Sequence, residues 1–205
     1  LRSDKKSYWR FKLDQERTEW QDGIMGRVSI DAGSVSDPVL IRGDGQFLYT
    51  LASVVDDIDF GINYVIRGND HVTNTATQIQ ILTKLGASIP SFAHHSLLVG
   101  QKGEPLSKRM NNLSLMELRK MGVEPQALFI FMAGLGLKVP FSTDVSFENL
   151  YQTFSLSDFG TTPTKFDLNI LSTFSQKYLL KLQLNDVKTD LDRLKVPQNL
   201  HCEFW

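Results

Sequence analysis

The first 112 residues combine short apolar runs with stretches in which apolar positions recur at helical spacing. Residues 8–13 alternate apolar and basic side chains, which is the period of a half-buried edge strand. Residues 38–42 and 46–50 flank a Gly-Asp-Gly turn and predict a hairpin, because glycine adopts the positive φ of a tight turn. The remaining predicted elements are strands at residues 62–66 and 93–99, and helices at residues 52–60 and from Thr73 or Asn74 to Gly86. This order predicts an α/β first half.

Beyond residue 112 the apolar positions follow the helical period throughout. Ser114 and Glu117 have the spacing of a capping box, and Pro125 suits the first turn of the next helix. Ser146 and Asp167 are predicted to cap two later helices. The fold class predicted from these patterns is α/β up to about residue 112 and all-α afterwards.

Composition and charge exclude several classes of protein. A chain of 205 residues that is 41% hydrophobic can bury a sizeable core in one or two domains. Its net charge of −1 lacks the basic footprint of a general nucleic-acid binder, so any RNA contact must be local. Cys202 is the single cysteine, which excludes an intramolecular disulfide, and no Cys/His spacing suits zinc. With no secretory signal and no apolar run of about 18 residues, we expect a cytoplasmic protein without membrane contact.

Two polar clusters follow predicted strands. Arg67-Gly-Asn-Asp-His71 comes after the strand at residues 62–66, and Ser107-Lys-Arg109 stands in a loop after the strand at residues 93–99. In open α/β sheets ligands bind outside the carboxyl ends of parallel strands, so the two clusters predict one cleft. Adjacent cations in a loop can close over a polyphosphate, although the same residues occur on ordinary solvated surfaces.

His94 and His95 stand side by side in the predicted strand at residues 93–99. Neighbouring side chains on a strand point to opposite faces. We therefore expect one histidine in the core and one lining the cleft, which argues against a joint role in metal binding or acid–base chemistry.

Four sequence blocks occur in the order found in one enzyme family. They are residues 47–57, residues 65–75, Pro105-Leu-Ser-Lys-Arg109 and residues 155–169. Together they resemble the catalytic domain of the glutamyl-tRNA synthetases, which are class I aminoacyl-tRNA synthetases. The third block resembles the family's Lys-Met-Ser-Lys-Ser-type signature, and the fourth resembles the start of its helical stem-contact region.

The resemblance implies the second half of a Rossmann-like catalytic domain followed by a helical stem-contact domain. Residues 1–35 resemble the tail of the inserted acceptor-stem-binding region, residues 36–112 the second catalytic half with the signature loop, and residues 113–205 the stem-contact domain. The family's His-Ile-Gly-His motif is absent from this sequence. We therefore expect an internal fragment that is inactive alone, while the origin of the truncation stays open.

The family's reaction supplies the expected function, substrates and partners. The full-length protein is expected to ligate L-glutamate to tRNA(Glu) through a glutamyl-adenylate. It would use ATP and Mg²⁺ carried by the ATP phosphates, so we expect no protein ligands to a metal. We also expect a monomer. Recognition of the anticodon, and whether a glutamine tRNA is also charged, are left open.

The signature loop is expected to act on the leaving pyrophosphate. By resemblance, Lys108 supplies an ammonium, Ser107 a neighbouring hydroxyl and Arg109 a supporting cation, with Lys108 also binding ATP. Charge grows on the phosphate oxygens during amino-acid activation, and contacts made only then lower the barrier. The loop departs from the family because Pro105, followed by Leu106, stands where the first lysine is usual. Lys108 is therefore expected to carry most of the electrostatic effect.

The resemblance assigns glutamate binding to Arg67, Tyr49 and Ser53. A guanidinium offers a rigid fork that suits a carboxylate, although an arginine at a strand end also forms ordinary surface ion pairs. The aromatic ring of Tyr49 helps to form the family's amino-acid pocket. Relatives often have asparagine in place of Ser53, so that assignment stays open.

ATP binding is assigned by resemblance to Asp70, His71, Leu97 and Leu98. Asp70 can accept hydrogen bonds from ribose hydroxyls, or its negative charge can simply interact favourably with the dipole at the amino terminus of the following helix. Asn69 interrupts the acidic pair that is common in the family. His71 is expected near the nucleotide. The two leucines are expected to place backbone groups near the adenine edge, with side chains in the core.

Three alternatives remain open from the sequence. The glutaminyl-tRNA synthetases share the architecture, although residues 65–75 are more similar to the glutamyl form. A non-catalytic RNA-binding module that retains the synthetase fold is the second. Within residues 155–169, the polar side chains can contact the tRNA backbone, or Phe159 and Phe166 can pack as a connector between cores.

Overall fold

The computed structural model describes residues 7–104, 106, 114–138 and 147–204. The chain divides into two compact units. We call the first the strand unit, which comprises Leu1–Leu97, Gly136–Lys138 and Ser155–Thr164. We call the second the helical unit, which comprises Leu98–Leu135, Val139–Phe154 and Lys165–Trp205.

The strand unit contains a four-stranded mixed sheet. Its strands and helices in chain order are β1 (Trp9–Arg10), β2 (Arg17–Asp22), β3 (Gly26–Asp31), β4 (Val39–Ile41), α1 (Tyr49–Asp59), β5 (Tyr64–Gly68), α2 (Val72–Lys84) and β6 (Ser91–His95). The sheet has the order β3-β2-β6-β5, and β1 pairs separately with β4. β2 and β3 form an antiparallel hairpin, whereas β6 runs parallel to both of its neighbours. The parallel pair β5 and β6 has its carboxyl ends at one edge.

The two helices of the strand unit pack through a small apolar core. Val54 of α1 and Ile81 and Leu82 of α2 are buried together, and Phe11 and Leu40 pack against them. The helices end where glycine takes a positive φ, with φ of +63° at Gly61 and +69° at Gly86. Both ends agree with the sequence prediction, because an L side chain at these positions would be strained.

Several predicted bounds in the strand unit are wrong. Neither Thr73 nor Asn74 caps α2, which begins at Val72 directly after a 3₁₀ turn at Asn69–His71. The predicted strand at residues 93–99 divides into β6 and a separate short strand, Leu98–Val99. The predicted return strand at residues 46–50 is reduced to a single bridge between Ile41 and Phe47, because α1 begins two residues later.

The helical unit contains most of the remaining elements. They are β7 (Leu98–Val99), α3 (Leu115–Lys120), α4 (Pro125–Gly134), α5 (Phe147–Thr153), β8 (Thr164–Lys165), α6 (Leu168–Leu179), α7 (Leu184–Arg193) and α8 (His201–Phe204), with β8 crossing the boundary between the units. Leu118, Val123, Phe166 and Leu171 form its buried core.

Local capping fixes the helix starts in this unit. The Ser114 side chain accepts a hydrogen bond from the Glu117 backbone N–H, and Pro125 occupies the first turn of α4, as predicted. The Asp167 carboxylate accepts from the N–H groups of Asn169 and Ile170, which confirms it as the cap of α6. Ser146 lies outside the described residues.

Candidate functional site

Arg67 lies near the carboxyl end of β5, and its guanidinium is held by side chains from α1 and α2. It donates to the Tyr49 hydroxyl at 3.1 Å and to Thr75 Oγ1 at 2.6 Å. It also donates to Gln78 Oε1 at 2.5 Å. Gln78 in turn donates from Nε2 to Ser53 Oγ at 2.7 Å. We call these five residues, Tyr49, Ser53, Arg67, Thr75 and Gln78, the Arg67 network.

The network brings together the three residues assigned to glutamate from the sequence. Tyr49 contacts Arg67 directly, while Ser53 reaches it through Gln78. Tyr49 is 52% exposed, so it is no core residue, and its ring lies 5.9 Å from that of His71. The helical turn from Tyr49 to Ser53 places both side chains on one side of α1, because residues four apart share a face.

The guanidinium of Arg67 keeps hydrogen-bonding capacity for an anion. Of the five N–H groups of an arginine side chain, three are used within the network. Nε is buried and has no partner among the residues that the structure describes. The guanidinium also lies 5.7 Å from the centre of the Phe92 ring, which adds a cation–π contact. The Nη1 N–H that the network does not use lies beside the exposed Tyr49 and can donate to a carboxylate.

A buried polar chain lies behind the network. Thr75 Oγ1 is 2.7 Å from His94 Nε2, and His94 Nδ1 is 2.5 Å from Asp22 Oδ2. The other oxygen of Asp22 accepts backbone N–H groups of Ile24, Met25 and His94, each at 3.0 Å. His94 is 0% exposed, which fulfils the expectation that one histidine of the pair lies in the core, and His95 is exposed.

The sequence analysis missed Asp22, Thr75 and Gln78. Thr75 and Gln78 are three residues apart on the buried face of α2, where polar side chains need partners. The Asp-Gly pair at residues 22–23 is a sequence signal for a hairpin, because it stands at the turn between β2 and β3.

The carboxylate of Asp22 remains ionised in this environment. Burial alone would raise its pKa, but hydrogen bonds from the Met25 N–H, the His94 ring and the other two backbone N–H groups hold the pKa below its ordinary value of 3.8. A carboxyl group with a depressed folded pKa stabilises the fold above its ordinary pKa. That contribution is lost as pH falls through the folded pKa.

We expect Asp22→Asn to lower the free energy of unfolding at pH 7 by about 3 kcal/mol, because the buried carboxylate loses its charge-assisted hydrogen bonds from the His94 ring and three backbone N–H groups. The loss should shrink as the pH falls below 3.8, because the unfolded wild-type chain then binds a proton at Asp22 more readily than the folded one does. Urea unfolding of both proteins at pH 7 and at acid pH measures the difference. Asp59→Asn, at an exposed position of α1, is the matched control. If both variants lose the same free energy of unfolding, the buried Asp22 carboxylate has no special stabilising role.

Asp70 and His71 lie in the 3₁₀ turn between β5 and α2. Their closest charged atoms, Asp70 Oδ2 and His71 Nε2, are 3.8 Å apart, and the Asp70 side chain is 54% exposed. A Cβ at Gly68 would stand 2.5 Å from Asp70 Oδ1 and 3.0 Å from Leu97 Cδ2. Glycine at position 68 therefore allows Asp70 and Leu97 to approach the end of β5 together.

The two leucines assigned to adenine have different surroundings. Leu97 is 41% exposed, which corrects the expectation of a core side chain, and its carbonyl accepts the Thr164 N–H at 3.1 Å. Leu98 belongs to the helical unit and packs against that unit's core, as expected. Leu98 therefore packs in a core, whereas the Leu97 side chain is exposed.

Most of the signature loop lies outside the described residues. Pro105, Ser107, Lys108 and Arg109 are among those not described, and Leu106 packs against the core of the helical unit. Within residues 7–104, 106, 114–138 and 147–204, no group of three or more His, Cys, Asp or Glu side chains is arranged to hold a metal ion. No helix in the described part of the chain is long and apolar enough to cross a membrane.

Comparisons with known proteins agree on one family. Residues 1–176 match the family model of class I tRNA synthetases (E and Q), catalytic domain. The chain is 56% identical over 197 residues to glutamate–tRNA ligase 1 of Roseobacter denitrificans, covering 96% of this chain and 45% of that protein. It is 55% identical over 205 residues to glutamate–tRNA ligase 2 of Cereibacter sphaeroides, covering 100% and 46%. The chain thus spans less than half the length of these curated relatives.

A solved structure has the same fold. The crystal structure of a glutamate tRNA ligase from Elizabethkingia meningosepticum in complex with its amino acid matches with a TM-score of 0.77 at 22% identity. The match covers 95% of this chain and 44% of that chain.

Proposed function

The chain belongs to the E and Q group of class I tRNA synthetases, and from this premise we propose that the full-length protein ligates L-glutamate to tRNA(Glu). The observation that carries the proposal is the Arg67 network, in which the three residues assigned to glutamate converge. The names of the relatives at 55–56% identity support glutamate over glutamine.

Arg67 would bind a carboxylate of the amino acid. The Nη1 N–H that the network does not use suits a charged acceptor, and charge-assisted hydrogen bonds are stronger than neutral ones. Tyr49 is exposed enough to contact a ligand while its hydroxyl accepts from Arg67. Ser53, held by Gln78, would complete the pocket. The arrangement is preorganised, because the packed helices α1 and α2 supply the hydrogen-bond partners of the guanidinium that the structure describes.

ATP would bind beside this pocket and supply the leaving pyrophosphate. Asp70 would accept from ribose hydroxyls, with His71 close to the nucleotide and backbone groups of Leu97 and Leu98 near the adenine. Lys108, assisted by Ser107 and Arg109, would meet the charge that develops on the phosphate oxygens. Mg²⁺ would arrive with the ATP phosphates and neutralise part of their charge.

The reaction would proceed in two steps. A carboxylate oxygen of glutamate attacks the α-phosphorus of ATP, which forms glutamyl-adenylate as the bond to pyrophosphate breaks. A terminal hydroxyl of the tRNA then attacks the acyl carbon, and AMP leaves. In this reaction the chain would hold a carboxylate of glutamate at Arg67, and Lys108 would stabilise the departing pyrophosphate.

The domain assignments belong to the same proposal. Residues 1–35 would end the inserted acceptor-stem region, residues 36–112 would form the second catalytic half, and residues 113–205 would form the stem-contact domain. Within the strand unit, β2 joins the sheet through its pairing with β6, so residues 17–22 contribute directly to the layer that carries Arg67. We also propose that the full-length protein is a cytoplasmic monomer.

A charging assay tests the proposed function. The full-length protein is incubated with ATP, Mg²⁺, tRNA and either labelled glutamate or labelled glutamine, and acid-precipitable label is measured. Glutamate should be transferred and glutamine should not. Transfer of glutamine would support the glutaminyl alternative, and transfer of neither would support the non-catalytic module. The 205-residue chain tested in parallel should transfer neither amino acid.

Lys165 is expected to contact the tRNA backbone in the full-length protein. It is exposed, whereas the neighbouring Thr164 hydroxyl is 3.1 Å from Ser96 Oγ and so has a structural partner. Lys165→Ala should weaken tRNA binding and reduce the slope of log affinity against log salt by about 1. Binding is measured across a salt titration. Lys177→Ala, an exposed change on α6, is the control; an unchanged slope for Lys165→Ala would leave residues 155–169 as a connector.

A further inference from the structure

The buried chain of Asp22, His94 and Thr75 ends on the guanidinium of Arg67. The three residues are 2%, 0% and 0% exposed, so solvent cannot replace their hydrogen bonds. They come from β2, β6 and α2, and β6 is the strand that pairs with both β2 and β5, which carries Arg67. The distances from Asp22 to His94, from His94 to Thr75 and from Thr75 to Arg67 are 2.5, 2.7 and 2.6 Å.

The chemistry of these groups leaves the Thr75 oxygen as a hydrogen-bond acceptor for Arg67. The ionised Asp22 carboxylate only accepts hydrogen bonds, so the proton of His94 lies on Nδ1, which faces it. Thr75 Oγ1 lies 2.7 Å from Nε2 and 3.2 Å from the His71 carbonyl, and its single hydrogen can be donated to either group. The Thr75 oxygen is left as an acceptor aimed at Arg67.

An acceptor at this place restricts the guanidinium. A free arginine side chain carries about 2 kcal/mol of rotamer entropy, which binding would otherwise have to remove. Thr75 Oγ1 and Gln78 Oε1 both accept from the same terminal nitrogen of Arg67, and Thr75 is itself fixed by His94. The orientation of Arg67 therefore depends on the hydrogen bonds that fix Thr75.

We propose that Asp22, His94 and Thr75 are positioning residues that hold Arg67 in the orientation that binds the carboxylate of the amino acid, an inference that rests on the proposed function. None of the three is expected to touch substrate. Their effect passes through Arg67, so it should alter the binding of glutamate and leave the binding of ATP unchanged.

Thr75→Val tests the proposal in the full-length protein. Valine keeps the shape of threonine but removes the hydroxyl, which leaves His94 Nε2 and one Arg67 N–H without partners. In glutamate-dependent ATP–pyrophosphate exchange with tRNA present, KM for glutamate should rise about tenfold or more, while KM for ATP stays constant. Thr75→Ser, which retains the hydroxyl, should keep the wild-type KM for glutamate.

Two controls separate positioning from stability. Thr77→Val changes a buried threonine of the same helix whose hydroxyl donates to the Thr73 carbonyl rather than to the Arg67 network, and it should leave KM for glutamate unchanged. In an Arg67→Ala background, Thr75→Val should add no further increase, because the group that it positions is gone.

The outcomes are distinct. A wild-type KM for glutamate in folded Thr75→Val overturns the positioning role and leaves the proposed function standing. A raised KM for glutamate in Thr75→Ser overturns it as well, and this holds even if Thr75→Val does not fold. If the wild-type protein shows no glutamate-dependent exchange while the proteins are folded, the proposed function fails and the positioning role fails with it.

Discussion

Arg67→Ala in the full-length protein should raise KM for glutamate by about 10–10²-fold, because the charge-assisted hydrogen bond from the Nη1 N–H that the network does not use contributes about 1.5–3 kcal/mol. Arg67→Lys should recover little of this loss. An ammonium keeps the charge but cannot donate to Tyr49, Thr75 and Gln78 in the fixed directions of a guanidinium. ATP–pyrophosphate exchange at varied glutamate measures the effect.

The control for Arg67→Ala is Arg42→Ala, which removes an exposed arginine from the turn after β4. KM for glutamate should not change in this variant. If Arg67→Ala folds normally and has the KM of the wild-type protein, the guanidinium is a structural element of the strand unit and the glutamate site lies elsewhere.

Lys108→Ala should lower the rate of glutamate activation by about 10²–10³-fold, equivalent to about 3–4 kcal/mol, because one preorganised cation is removed from the charge that develops on pyrophosphate. The proposal for Lys108 comes from the sequence alone. The melting temperature should change little, since a loop lysine has few packing contacts. Single-turnover adenylate formation under saturating ATP and glutamate measures the rate.

Lys102→Ala is the matched change, at an exposed lysine that precedes the signature loop. Its activation rate should equal that of the wild-type protein. A Lys108→Ala variant with both a wild-type melting temperature and a wild-type rate would reduce the signature loop to an ordinary solvated surface.

Sequence patterns predicted the fold where local chemistry determines it. Gly61 and Gly86 end their helices because the backbone there needs a positive φ, and Asp167 caps α6 because its carboxylate reaches N–H groups two and three residues away. These features depend on residues within one turn of each other. The start of α2 was misplaced because a 3₁₀ turn leads directly into it, with no side-chain cap to mark the boundary.

The hairpin of β2 and β3 was missed for a different reason. In β2 the buried positions include Thr18 and Asp22, so the hydrophobic alternation that signals a half-buried strand is absent. Asp22 is buried because it forms the base of the hydrogen-bonded chain to His94, which lies 72 residues away in the sequence. The burial of polar residues on β2 can therefore be recognised only from the structure, in which β6 supplies the hydrogen-bond partner.

The candidate site was likewise only partly predictable. The assignments of Arg67, Tyr49 and Ser53 came from resemblance to a family, and the structure brings these three residues together. Gln78, which joins Ser53 to Arg67, and Thr75, which also accepts from Arg67, are ordinary polar helix residues in the sequence. Their role depends on the packing of α2 against β5 and α1, which no local pattern encodes.

We propose that the site around Arg67 serves the activation of glutamate. ATP–pyrophosphate exchange by the full-length protein, with tRNA present and with glutamate or glutamine as the amino acid, tests it most directly. We expect exchange that depends on glutamate, with glutamine at the background level, and a KM for glutamate that rises in Arg67→Ala. Exchange that depends on glutamine would contradict this proposal. So would a KM for glutamate that is the same in Arg67→Ala and in the wild-type protein.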